Sequence, residues 1–152
     1  MPAYTTTRQV EFSETDMAGI VHFSNFYRWM ENAEHEFFRS LGLSVHMVIN
    51  GQDIGWPRLD TSCTFKRPLK FEEITTINIF IEAISPKTVT YRFEFTKEEN
   101  GEQLRVAKGR MTTVCVTFAP STGKLSAIPI PPQILAKLEP LLESDQTSPN
   151  GA

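Results

Sequence analysis

The segment NFYRWMENAEHEFFRSLG, residues 25–42, decides the fold. Phe26, Trp29, Met30, Ala33, Phe37 and Leu41 recur at three- and four-residue steps, with Arg28, Glu31, Asn32, His35, Glu36 and Arg39 between them. That is the period of a helix with one apolar side. Ser24 or Asn25 can cap its start and Gly42 stops it, giving a helix of about seventeen residues. The apolar stripe is strongly aromatic, so it needs a broad apolar surface to cover it.

Outward from this helix the chain is rich in β-pattern. DTSCTFKRPL (60–69), ITTINIFIEAI (74–84) and TVTYRFEFTKEENGEQLRVAKGRMTTVCVTF (88–118) alternate at period two for long stretches. Val89, Tyr91, Phe93 and Phe95 make one apolar face, while Thr88, Thr90, Arg92 and Glu94 make the other. ENGE (99–102) reads as a hairpin turn and SPK (85–87) as a second. Before the helix, Tyr4 to Phe12 reads as a Thr-rich strand. After it, SVHMVING (44–51) is expected to add one or two short helical turns ending at Gly51. Pro129, Pro131 and Pro132 close the last strand, and 132–143 reads as a short amphipathic helix bent or ended near Pro140. Residues 144–152, SDQTSPNGA, have a disordered composition. The expectation is a single α+β domain over 1–143, in which a curved antiparallel sheet wraps one long central helix.

Composition narrows the function. The 152 residues are 40% hydrophobic and 22% charged, with 11 Phe, which suits one domain with a full core. A formal charge of −3 argues against a general nucleic-acid binder but leaves room for a small anionic ligand held by a local basic cluster. Cys63 and Cys115 lie far apart without metal-ligand spacing, which argues against zinc and fits two buried free thiols in a reducing cytoplasm. MPAYTTTRQVEF lacks the apolar core of a signal peptide, and no run is long enough for a membrane span. A cytoplasmic location with no membrane partner is expected.

The chemistry concentrates in ETDMAGIVHFSNF, residues 14–26. Glu14 and Asp16 lie two apart, and Gly19 lets the backbone bend sharply just before the helix. The helix start carries unpaired N–H groups and a partial positive charge, which favours an ionised carboxylate nearby. Such a carboxylate can attack a carbonyl or activate a water, and the same N–H groups can hold the developing oxyanion. Dipole compensation alone also explains an acid at this place.

The run TDMAGIVHFSNFYRWMENAEHEFFRSLG resembles the opening motif of the 4-hydroxybenzoyl-CoA thioesterase-like branch of hotdog-fold acyl-CoA thioesterases. Asp16, Ala18-Gly19, Ile20-Val21, His22-Phe23, Ser24 and Asn25 carry the likeness, which continues through FKRPLKFEEI (65–74) and the Ile-Pro at 128–129. The resemblance implies a hotdog fold, hydrolysis of an acyl-CoA thioester, and Asp16 as nucleophile or general base. It implies a backbone N–H near Phe23 as oxyanion donor, with Asn25 fixing the turn or the thioester end. It also implies self-association into dimers or tetramers with sites at the dimer interface, and no metal or other cofactor, coenzyme A being part of the substrate. Many relatives in one subgroup carry His at the position of Phe23; here the histidine is one residue earlier, at His22.

For the substrate itself, Phe23, Phe26, Tyr27 and Trp56 are expected to line the acyl pocket, with His22 a further candidate. Lys66 and Arg67, with Lys70, and Lys108 and Arg110 on a later strand, are expected to meet the coenzyme A phosphates. Glu31 and Glu34 are rival carboxylates on the helix; Glu31 shares a solvated charge stripe with Arg28 and His35, and Glu34 sits nearer the apolar flank. A non-catalytic acyl-CoA-binding module and a hotdog dehydratase remain as alternatives. Saturated thioesters separate the second from a thioesterase, and binding without turnover marks the first.

Overall fold

A computed structural model describes residues 1–144. The chain runs β1 (Tyr4–Gln9), α1 (Ser24–Ser40), β2 (Met47–Ile49), β3 (Gln52–Gly55), β4 (Arg58–Phe65), β5 (Ile74–Ile84), β6 (Thr88–Glu99), β7 (Glu102–Val114), β8 (Val116–Phe118), β9 (Leu125–Ala127) and α2 (Pro132–Leu138). Single 3-10 turns lie at Phe12–Glu14 and Glu139–Leu141. The main sheet is antiparallel in the order β1-β5-β6-β7-β4, and β2, β3, β8 and β9 form a second, smaller sheet.

The main sheet curls around α1. Register shifts between Ile81 and Ala83, Phe95 and Thr96, and Arg58 and Asp60 bend its strands. Its concave face carries Ile77, Ile79, Ile81, Val89, Tyr91, Phe93 and Phe95, all without exposed surface. Onto this face α1 lays Phe26, Trp29, Met30, Ala33 and Phe37. Ring contacts tie the two layers, with Phe26 at 5.2 Å and Trp29 at 6.4 Å from Phe95, and Phe37 at 6.4 Å from Tyr91. The helix ends as expected at Gly42, whose φ of 74° is left-handed. Gly42 N–H donates to Arg39 O and Leu43 N–H to Phe38 O, closing a Schellman motif. On the convex face Arg92 grips Glu143 through two nitrogens at 2.7 and 2.8 Å and reaches Glu82 and Glu94.

Three local expectations are corrected. Residues 44–51 form no helical turns: Met47–Ile49 pairs with Gln52–Gly55 as a hairpin. Asn50 and Gly51, at φ of 52° and 78°, make its turn, a pair suited to a two-residue hairpin and flanked here by β-branched Val48 and Ile49. The first strand stops at Gln9, and Phe12 sits in a 3-10 turn with 75% of its surface exposed. Neither Ser24 nor Asn25 caps α1 through its side chain, because Ser24 is already helical and the N-cap is Phe23. Pro140 does end the last helical segment, whose α-helical part is confined to Pro132–Leu138. Leu142 then bridges in parallel to Ile81. The expectation of a disordered 144–152 falls, from 145 onward, outside the described residues. Both cysteines are free, and burial pushes each thiol up to about 11.

Candidate active site

Residues 15–22 form a narrow loop pinned on three sides. Thr15 and Val21 bridge, and His22 N–H donates to Glu14 O at 2.9 Å. Within the loop Asp16 N–H donates to Ile20 O, and Gly19 N–H donates back to Asp16 O at 2.9 Å. Gly19 has a φ of 79°, the left-handed conformation that this tight turn needs. The Asp16 carboxylate accepts Ala18 N–H through Oδ1 at 2.8 Å, an Asx turn that fixes its direction. Val21 N–H donates to Leu69 O, which docks the loop against the segment following β4.

A pocket of about 450 Å³ opens between these two segments. Asp16, Ile20 and Val21 form one wall, Phe23 and Phe26 come from the start of α1, and Phe65 to Leu69 close the far side. The wall is mostly apolar, with the carboxylate of Asp16 and the cations of Lys66 and Arg67 at its margins. Arg67 is fixed by donating from Nη1 to Arg105 O at 2.7 Å, and the backbone N–H groups of Lys66 and Arg67 both reach Val106 O. Among the described residues the backbone N–H of Phe23 takes no protein acceptor. A carboxylate, a free N–H at a helix start and two cations around an apolar cleft can handle an anionic ligand with a polarised carbonyl.

Asp16, Phe23, Phe26, Lys66 and Arg67 therefore line one pocket. Asn25 is buried behind the pocket, donating from Nδ2 to Glu14 O at 2.8 Å, so it fixes the turn. The remaining residues stand elsewhere in this chain. His22 is exposed, with Nδ1 bonded to Ser24 Oγ at 2.8 Å and its ring against Phe23. Tyr27 is half-buried on α1 outside the pocket lining. Trp56 is buried against Phe38 near the other end of α1, 5.8 Å between rings. Lys108 and Arg110 lie on the convex face, because the alternation of β7 turns Gly109 and Met111 inward, and Arg110 is paired to Glu82 at 2.9 Å. Among the carboxylates on α1, Glu31 is exposed, whereas Glu34 has no exposed surface and is ion-paired to Arg58 at 2.8 Å, away from the pocket lining.

Two residues next to the pocket had no role assigned by the sequence: Trp29, read only as part of the stripe, and Glu14, noted only for its spacing from Asp16. The indole N–H of Trp29 donates to Glu14 Oε2 at 2.6 Å. A buried tryptophan ordinarily needs such an acceptor, so its place on the stripe was the available signal.

The sequence model of a family described as the thioesterase-like superfamily matches residues 10–138. A 4-hydroxybenzoyl-CoA thioesterase from Pseudomonas sp. (strain CBS-3) is 27% identical over 130 residues, spanning 84% of this chain and 91% of the relative. A 1,4-dihydroxy-2-naphthoyl-CoA hydrolase from Prochlorococcus marinus (strain NATL2A) is 29% identical over 128 residues, 80% of this chain and 79% of the relative. Among solved structures, a gentisyl-coenzyme A thioesterase superposes with a TM-score of 0.72 at 32% identity, covering 86% of this chain and 98% of its own. With its helix wrapped by an antiparallel sheet and the Asp16 turn at the helix start, the chain belongs to the thioesterase-like superfamily of hotdog-fold hydrolases.

Proposed function

We propose that this protein hydrolyses a small aromatic or aliphatic acyl-CoA thioester to the free acid and coenzyme A. The observation that carries the reading is the meeting, in one apolar pocket, of Asp16, the start of α1 at Phe23, and the cations Lys66 and Arg67. Relatives named for aromatic acyl-CoA substrates support the aromatic class. In one route the Asp16 carboxylate attacks the thioester carbon, the C–S bond breaks, and the coenzyme A thiolate leaves to take a proton. Water then opens the resulting anhydride. In the other, Asp16 takes a proton from water as the water attacks, and collapse of the tetrahedral adduct expels the same thiolate. In both routes the Phe23 N–H holds the developing oxyanion. Lys66 and Arg67 meet coenzyme A phosphates. The reaction calls for no cofactor, and we place the protein in the cytoplasm as a homo-oligomer.

The test is thiol release from a panel of aliphatic and aromatic acyl-CoA thioesters by wild type and Asp16→Asn. Asn keeps the size of the side chain and removes its charge. Wild type is expected to turn over some members and the variant to lose ~100-fold or more. Binding of acyl-CoA without thiol release from any of them would replace this reading with that of a binding module.

A further inference from the structure

We propose that Glu14 and Trp29 form a positioning pair that sets Asp16 against the Phe23 N–H, an inference that rests on the catalytic reading of Asp16. Glu14 is joined to α1 twice. Its carboxylate takes the Trp29 indole N–H at 2.6 Å from the second helical turn, and its carbonyl takes Asn25 Nδ2 at 2.8 Å from the first. The same carbonyl receives His22 N–H at 2.9 Å, so the two strands of the Asp16 loop meet at this residue. The second carboxylate oxygen, Oε1, holds Glu11 N–H at 2.8 Å, and Arg8 of β1 stands 3.7 Å from Oε2, the oxygen that takes the indole.

The consequence is geometric. Asp16 itself is exposed and tied only within its own turn, through Ala18, Gly19 and Ile20. Nothing in that turn fixes it relative to the helix. Glu14, two residues earlier, does so. Trp29 is 1% exposed and packed among Phe26 and Phe95, so its indole is a rigid peg. A carboxylate on that peg holds the preceding backbone at a set height along the helix axis. Satisfying the buried indole alone would need only one neutral acceptor. The structure instead spends a largely buried carboxylate and its carbonyl on four donors that belong to the helix, to the loop and to the preceding turn. Displacing a reacting group by about 1 Å is enough to cost ~100-fold in rate, so a lost peg is expected to act on kcat rather than on affinity.

The experiment compares Glu14→Ala, Trp29→Phe, the double variant and Glu14→Gln with wild type and Asp16→Asn. Melting temperature, kcat, KM and the Kd of free coenzyme A are measured for each. Glu14→Ala and Trp29→Phe are each expected to lower kcat by about 10- to 100-fold, with coenzyme A affinity within about threefold of wild type. The double variant is expected to be no worse than the poorer single, since the two act as one unit. Glu14→Gln keeps one acceptor, for the indole, but turns its NH2 toward the Glu11 N–H, and is expected to place kcat between wild type and Glu14→Ala. A merely structural pair would lower melting temperature and leave kcat of the folded fraction intact, and that result overturns the inference. If Glu14→Ala does not fold, Trp29→Phe and Glu14→Gln decide it alone. Loss of activity in Asp16→Asn with full kcat in the pair variants removes the positioning role only. Full kcat in Asp16→Asn, or no thiol release by wild type, removes both the role and the reading beneath it.

Discussion

Glu34 shows how one residue can carry a large electrostatic load without touching the candidate pocket. It lies in the middle of α1 with no exposed surface. Arg58 faces it from β4 at 2.8 Å, His35 Nε2 lies 3.8 Å away, and Glu31 reaches the same Arg58 at 3.6 Å. Tyr91 of β6 is the buried titratable neighbour from the sheet, its phenol driven further up by burial and by the Glu34 charge. Removal from water outweighs the charge and hydrogen bond of Arg58 and pushes the Glu34 carboxyl up to about 7. The unfolded chain holds this group near 4.5, so the folded state binds the proton more tightly. The stability it contributes is full below pH 4.5 and is lost as pH rises through about 7. Glu143, which Arg92 holds below the usual carboxylate range, runs the other way, adding stability that is lost as pH falls. Comparing wild type with Glu34→Gln isolates the first effect. Denaturant unfolding from pH 4.5 to 8 is expected to show wild type losing ground to the variant as pH rises; parallel curves would refute the assignment.

At the scale of elements the closest approach in the core is between α1 and β7. A Cβ built on Gly109 would overlap Met30 Sδ, so the strand has no room for even a methyl group where the helix crosses it. Met30 is 1% exposed and can yield only by leaving its rotamer. Gly109→Ala is expected to cost about 1–3 kcal/mol of unfolding free energy. Combined with Met30→Ala, the two losses should sum to less than additive, a coupling that a double-mutant cycle of unfolding curves measures. Additive losses would mean that the strand, and not the sulfur, resents the methyl. Much of this packing was legible beforehand. The period of residues 25–42 gave α1, and the alternation of 88–96 gave the inward face of β6, because both are repeated many times over in one element. The errors fell where a segment is short. In 44–55 strands of three and four residues are too short to set a period, and only the Asn50-Gly51 pair carried the answer. At the site, Asp16, Phe23 and Phe26 share one contiguous motif, so their nearness was legible, whereas the approach of Lys66 and Arg67 is a tertiary contact of the segment after β4. The displacement of Lys108, Arg110 and Trp56 depended on which way a strand faces and how far along α1 it crosses, which sequence spacing does not encode.

The whole molecule ends its main sheet on β4, and that edge is unusual. Every strand from β5 to β7 buries alternate residues, yet β4 is exposed at most positions, with Leu59 at 63% and Phe65 at 48%. An edge strand with free N–H and C=O groups and bare apolar side chains invites pairing with another chain. Phe65 and the residues after it also line the candidate pocket, so a second copy paired along β4 would stand beside the site. We expect the protein to self-associate across this edge, as a dimer or a higher even oligomer. A two-fold pair places each substitution in the interface twice. Leu59→Glu adds a charge to the apolar edge while leaving the pocket lining of its own chain intact. Sedimentation equilibrium at micromolar concentration should find wild type at a multiple of the chain mass and Leu59→Glu shifted toward one chain. Thiol release per chain should fall with the oligomer if the partner completes the site, and should recover on raising protein concentration. A wild type that sediments as one chain would refute the edge pairing. A monomeric variant with full turnover would keep the pairing and remove its share in catalysis.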